Sequence, residues 1–267
     1  MMRRPVRVGN AEPMNRPPPD RCTDGLPLPP VDDLDSVGPF VIRCVYALPR
    51  DGTDRRLGED GTISRSLSAM QAWFAAQTGA RLRFADEPVR TARLPEIDAR
   101  IADRGSHVRD RIERLLRRQG FHEPRTLYAV WYDGSSTISC GGGAWPPVLR
   151  GRVAALYLQG AYDDVVCAED RFSPDGVTPE INEFKMLHEI LHTMGFVPPA
   201  APHHARAGHV GNNHNDLMYA GDPPWNPSVI DPYHQDYFRT GRTDIPDLAR
   251  SSFLDPLPVG AEPPPVW

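Results

Sequence analysis

The chain has 267 residues, 40% of them apolar and 8% aromatic, with a formal net charge of -5. That is ample material for a buried core, and the mildly acidic balance gives no reason to expect nucleic acid or an anionic membrane as partner. No apolar run approaches the ~20 residues that a bilayer span needs.

Residues 1–37 are rich in Pro, Arg and Asp and lack apolar periodicity, so they read as an extended leader. Positive charge at Met1-Met2-Arg3-Arg4-Pro5 has no apolar stretch behind it, so no secretory signal is expected there. The compact domain, placed at 38–250, opens on the β-branched and aromatic run Val41 to Leu48, which reads as a strand. Leu67, Met70, Trp73 and Phe74 then recur at helical spacing over Ile63–Thr78, with Gly79 as the stop. Arg81 to Phe84 reads as a short strand. A second helix is expected from Val108 to Gln119, its stripe formed by Ile112, Leu115 and Leu116.

Thr126 to Tyr132 is the clearest buried strand. Gly141-Gly142-Gly143 reads as a flexible turn, and Val153 to Leu158 as a strand near a sheet edge. A third helix starts near Thr178-Pro179-Glu180, with Thr178 as the expected cap and Phe184, Leu187, Leu191 and Met194 facing the core. The remainder reads as irregular apart from a short helix at Pro232–Tyr237 and a Pro-rich tail at 251–267. The element order predicts an α/β (α+β) fold with a twisted mixed sheet.

Cys22, Cys44, Cys140 and Cys167 contain no C-x-x-C pair. Two disulfides, Cys140 with Cys167 and Cys22 with Cys44, are the expected pairing, with free buried thiols as the other reading. Among thirty basic residues only Lys185 is a lysine, a skew attributed to GC-rich coding. The acidic pairs Asp163-Asp164 and Glu169-Asp170, with Asp175, lack EF-hand spacing and read as a solvated loop.

Chemistry concentrates in His188-Glu189-Ile190-Leu191-His192. On a helix, positions i and i+4 share a face, so His188 and His192 can hold one zinc ion from consecutive turns. Glu189 then lies beside the ion, where a carboxylate can act as general base. A catalytic zinc takes three protein ligands and leaves one position open. His203, His204, His209 and His214 are the candidates for the third, with Asp216 as an oxygen alternative.

His188-Glu189-x-x-His192-x-x-Gly195 followed by Leu217-Met218-Tyr219 resembles the metzincin zinc endopeptidases. The resemblance implies a metzincin-like zincin domain in which the Gly allows a sharp turn and a later Met-turn floors the metal. It also implies that the strand nearest the site, here Val153–Leu158, pairs with extended substrate. Pro198 stands where the family places its third ligand, so the loop must be longer in this chain. The His209-to-Met218 spacing is similar to that of matrixins, which favours His209 over its rival His203. Gly208-His209 and Asp216–Tyr219 are also similar to secreted bacterial metzincin-like proteins.

The resulting expectation is a monomeric zinc endopeptidase acting on protein or peptide outside the cytoplasm, with His188, His192 and His209 on the metal and Glu189 as base. A zinc amidase acting on a non-protein amide, or a non-catalytic zinc-stabilised binding module, stands as the alternative.

Overall fold

The computed structural model describes residues 39–162, 165–220 and 224–265. In chain order its regular elements are β1 (Val41–Leu48), α1 (Thr62–Thr78), β2 (Arg81–Leu82), β3 (Arg90–Arg93), α2 (Asp98–Ala102) and α3 (Val108–Arg118). They continue with β4 (Thr126–Ser135), β5 (Gly141–Gly142), β6 (Val153–Gln159), β7 (Ala161–Tyr162), β8 (Val165–Val166), α4 (Ile181–Thr193) and β9 (Leu254–Asp255). Five strands form one sheet in the order β3-β1-β4-β6-β5, parallel throughout except for antiparallel β5. This is the mixed α/β architecture the element order predicts.

Side chains alternate across a strand with period two, so each strand feeds both faces. Leu127, Ala129 and Trp131 of β4 join Ile42, Cys44 and Tyr46 of β1 beneath α1 and α4. Tyr128, Val130 and Tyr132 point the other way, with Val45 and Ala47, against Ile101, Ile112, Leu115 and Leu116 of α2 and α3. The sheet is therefore the middle of three layers, and a strand buried on both faces reads as a nearly continuous apolar run. Among the described residues no helix is long and apolar enough to cross a membrane.

Several expectations change. Gly141-Gly142 is not a turn but the two-residue edge strand that covers β6, so Val153–Leu158 lies one place in from the edge. Thr178 is not the helix cap: its N–H donates to Asp175 in a preceding turn. Glu180 caps α4 instead, in a capping box with Glu183, which accepts the Glu180 N–H at 2.8 Å. The strand β3 and helix α2 had no sequence signal, because Arg90-Thr91-Ala92-Arg93 has one apolar residue and α2 is five residues long.

Pro232–Tyr237 forms no helix. Its backbone wraps instead around the buried carboxylate of Asp231, which accepts the N–H groups of Gln235, Asp236, Tyr237 and Phe238 at 2.8–3.1 Å. Residues 251–265 of the segment read as a tail pack on the body, with Phe253 fully buried and β9 paired to β2. The leader, Cys22 and its pairing with Cys44, and Asp163-Asp164 lie outside the described residues.

The Asp231 turn yields a stability prediction. Asp231→Ala leaves four inward N–H groups without their acceptor, and each unmet buried donor costs about 1–3 kcal/mol. The expected loss is roughly 3–5 kcal/mol, read as a lowered urea midpoint at unchanged m-value. A shift under about 1 kcal/mol would show that water replaces the carboxylate.

Candidate metal centre

Helix α4 packs on the sheet through Met186, Leu187, Ile190 and Leu191, with Glu189 and His192 against Gly141 and Gly143 at the sheet edge and His188 toward Leu217. Its end is a Schellman motif: Phe196 N–H donates to the Leu191 carbonyl and Gly195 N–H to that of His192. Gly195 takes φ of 89°, and a Cβ there would fall 2.8 Å from Pro265. Chain reversal at this glycine starts the loop that returns past Pro198 to His209.

Three imidazoles meet. His192 Nε2 lies 2.9 Å from His188 Nε2 and 3.1 Å from His209 Nε2. Backbone carbonyls determine two of the tautomers. His188 Nδ1 donates to the Leu217 carbonyl at 2.7 Å, and His209 Nδ1 donates to that of Arg206 at 2.8 Å. Carbonyls only accept, so both rings carry their proton on Nδ1 and turn an Nε2 lone pair inward. A single proton on His192 Nε2 would satisfy one of those lone pairs and leave the other facing it. A divalent metal ion accepts all three, and tetrahedral coordination at 2.0–2.1 Å would separate the nitrogens by about 3.3 Å. The residues present fit such an ion.

Burial reinforces the neutral, metal-binding form. Desolvation lowers His188 to about 3, with the neighbouring His209 adding to the effect, and it also lowers His192 and His209.

The remaining candidates lie outside this cluster. His203 receives both arms of buried Asp236: its N–H donates to Oδ1 at 2.7 Å and its ring nitrogen Nδ1 to Oδ2 at 2.9 Å. His204 stacks on Trp145, with rings 5.5 Å apart and 8° from parallel. The His214 carbonyl accepts the Asn226 N–H, and its ring is not part of the triad. Asp216 is buried, accepts the Tyr237 hydroxyl and the Met218 N–H at 2.7 Å, and is pushed up to about 7 by desolvation. Met218 is fully buried, and its carbonyl accepts the N–H of Val210, next to His209. One short segment thus orients His188 through Leu217 and braces the segment carrying His209 through Met218.

Glu189 faces Gly141 and Gly143, two of the three glycines that seemed to form a loop. Cβ atoms added at Gly141 and Gly143 would fall 2.6 Å and 3.1 Å from its carboxylate oxygens, and the one at Gly143 also 2.7 Å from its carbonyl. The glycines therefore allow the edge of the sheet to approach α4. Sequence spacing alone gave no sign of this, since the two segments are 46 positions apart between Gly143 and Glu189. Desolvation pushes the Glu189 carboxyl up to about 8, opposed by the charges of Arg109 and Lys185 and by the Gly143 N–H.

A cleft opens over this group, walled by Ser139, Cys140 and Gly141 on one side and by Tyr219 and Trp225 on another. Trp225 sets its ring edge-on to His188 at 5.7 Å and donates Nε1–H to the Asp216 carbonyl. Cys140 is disulfide-bonded to Cys167, which ties that wall to the segment leading into Asp170.

No known protein family matches the chain, and no curated protein does. Among solved structures it is similar to archaemetzincin from Methanopyrus kandleri, at 15% identity over 74% of this chain and 93% of that one, with a TM-score of 0.40. It is also similar to a chain in a chaperone–substrate complex, at 15% identity over 74% of this chain and 33% of that one, with a TM-score of 0.34. Likenesses this distant carry no assignment of family or activity.

The geometry separates the two rival histidines. After zinc loading and desalting, His209→Ala is expected to lose its metal and His203→Ala to keep it, with metal content read by atomic emission. The opposite pattern would move the third ligand to His203.

Proposed function

We propose that the chain is a zinc-dependent endopeptidase of metzincin-like build, with His188, His192 and His209 holding the metal and Glu189 as general base. The observation that carries this reading is the convergence of three neutral imidazole Nε2 atoms beside a carboxylate in an open cleft. When bound there, zinc supplies a Lewis acid that polarises a carbonyl, lowers the pKa of a water to about 7 and favours the ionised form of Glu189.

The chain's own residues supply the rest. Glu189 takes a proton from the attacking water and passes it to the leaving amine, which requires a carboxylate held within hydrogen-bond reach. The Gly143 N–H and the close packing of Gly141 and Gly143 hold it in place. Met218 closes the apolar floor in the role of a Met-turn. Among the described residues no fourth His, Cys or carboxylate joins the triad. This favours an open catalytic site over a closed structural one. The Cys140–Cys167 disulfide supports a protein that works in an oxidising, extracytoplasmic compartment.

The test is cleavage of a diverse peptide mixture, read by mass spectrometry, by wild type and by Glu189→Ala. Wild type is expected to cut internal peptide bonds, and the variant to retain zinc without cutting. Cleavage by the variant, or zinc loss from it, would overturn the division of roles; a folded, zinc-loaded wild type that cuts nothing would overturn the peptidase reading. Gly141→Ala provides a second check. The nearest atoms to the added methyl all belong to the Glu189 side chain, 2.6 Å away at its carboxylate, so kcat is expected to fall on the order of 100-fold with zinc content unchanged, since a displacement near 1 Å has that effect.

A further inference from the structure

Lys185 lies on α4 one turn before Glu189 and lines the same cleft. Every other basic residue of the Lys/Arg type in the chain is arginine. Its side chain is 17% exposed, and Nζ donates to Asp170 Oδ2 at 2.5 Å, the one hydrogen-bond partner it has among the described residues. Asp170 is itself fixed. Its carbonyl accepts Asn182 Nδ2, its N–H donates to the Cys167 carbonyl, and Cys167 is bonded to Cys140, which lines the same cleft.

An ammonium has three donors, and Asp170 uses one. An arginine here would spend its planar fork on Asp170 in a bidentate pair, as Arg55 does on Asp133. A lysine is a compact charge that can serve two carboxylates at once. Apart from it, the cleft lining consists of neutral side chains, the histidines and Glu189. A part-buried cation with spare donors, set beside the reacting groups, binds an anionic oxygen more strongly than a neutral one. From this geometry we infer that Lys185 is a specificity residue that accepts a substrate carboxylate next to the bond to be cut.

This inference rests on the peptidase reading and names its substrate class. The carboxylate can be an Asp or Glu side chain or a free C-terminus, and the two sources separate experimentally. End-capped peptides differing only by Glu or Gln at successive positions test the side chain; free-acid and amidated pairs test the terminus. Wild type is expected to favour the carboxylate member of one series by about tenfold in kcat/KM, the range of one hydrogen bond to a charged group. Lys185→Met is expected to reduce that ratio to within about twofold, while Asp170→Asn, which frees the ammonium, raises it. The same pairs are titrated onto zinc-loaded Glu189→Ala, with and without Lys185→Met, so that binding is read without turnover.

A cleaving wild type that treats every pair alike overturns the carboxylate subsite and leaves the peptidase reading standing. So does a Lys185→Met variant that loses both members of each pair equally, the mark of a purely structural ion pair. Discrimination in binding that Lys185→Met abolishes, with no cleavage by wild type, overturns the peptidase reading and leaves the subsite standing.

Discussion

A neutral imidazole donates through one nitrogen and accepts through the other, so the bond from His188 Nδ1 to the Leu217 carbonyl decides which nitrogen faces the cleft. Everything at the centre follows from that constraint. The same bond ties α4 to the irregular segment after it, and the next residue, Met218, takes the Val210 N–H and so aligns His209. A helix turn sets His188 and His192 together, but the third ring arrives through a chain of backbone bonds. Its position is only as firm as the carbonyls at 206, 217 and 218.

Buried acids brace the irregular segments after α4. Asp216 fixes the Met218 N–H and the Tyr237 hydroxyl, Asp231 fixes four backbone donors, and Asp236 holds the backbone and ring of His203. With so little regular structure after α4, carboxylates take the place of a hydrogen-bonded ladder, each satisfying N–H groups that burial would otherwise leave unmet. The cost is electrostatic: Asp216, desolvated and near Asp231 and Asp236, is raised to about 7. The centre is therefore braced by groups that sit at the limit of what burial allows.

How far the sequence reveals this depends on whether a feature is local. Elements β1, α1, α3, β4, β6 and α4 announce themselves by periodicity over seven or more residues, and their boundaries agree within a few positions. The His188–His192 spacing is equally local. By contrast β3 and β5 owe their pairing to neighbours far along the chain, and Gly141-Gly142-Gly143 looks like any flexible turn until α4 is placed against it. His203 and His209 stay indistinguishable in sequence because what separates them, the approach of His209 Nε2 to 3.1 Å from His192 Nε2, is made by the fold of the loop between them. Pro232–Tyr237 misleads for a related reason: a carboxylate collecting consecutive N–H groups makes a compact turn without helical hydrogen bonds.

The disulfide has the same logic. The apolar layers on both faces of the sheet are complete without it, since Cys140 and Cys167 belong to neither buried cluster. What it joins is the wall beside Glu189 and the segment carrying Asp170, two stretches with few apolar side chains to hold them. A cleft needs walls that do not collapse onto each other, so packing cannot both leave the cavity open and fasten its sides. A covalent tie and a set of backbone bonds fasten the walls from outside and leave the space between Glu189, Lys185 and Trp225 free for a ligand.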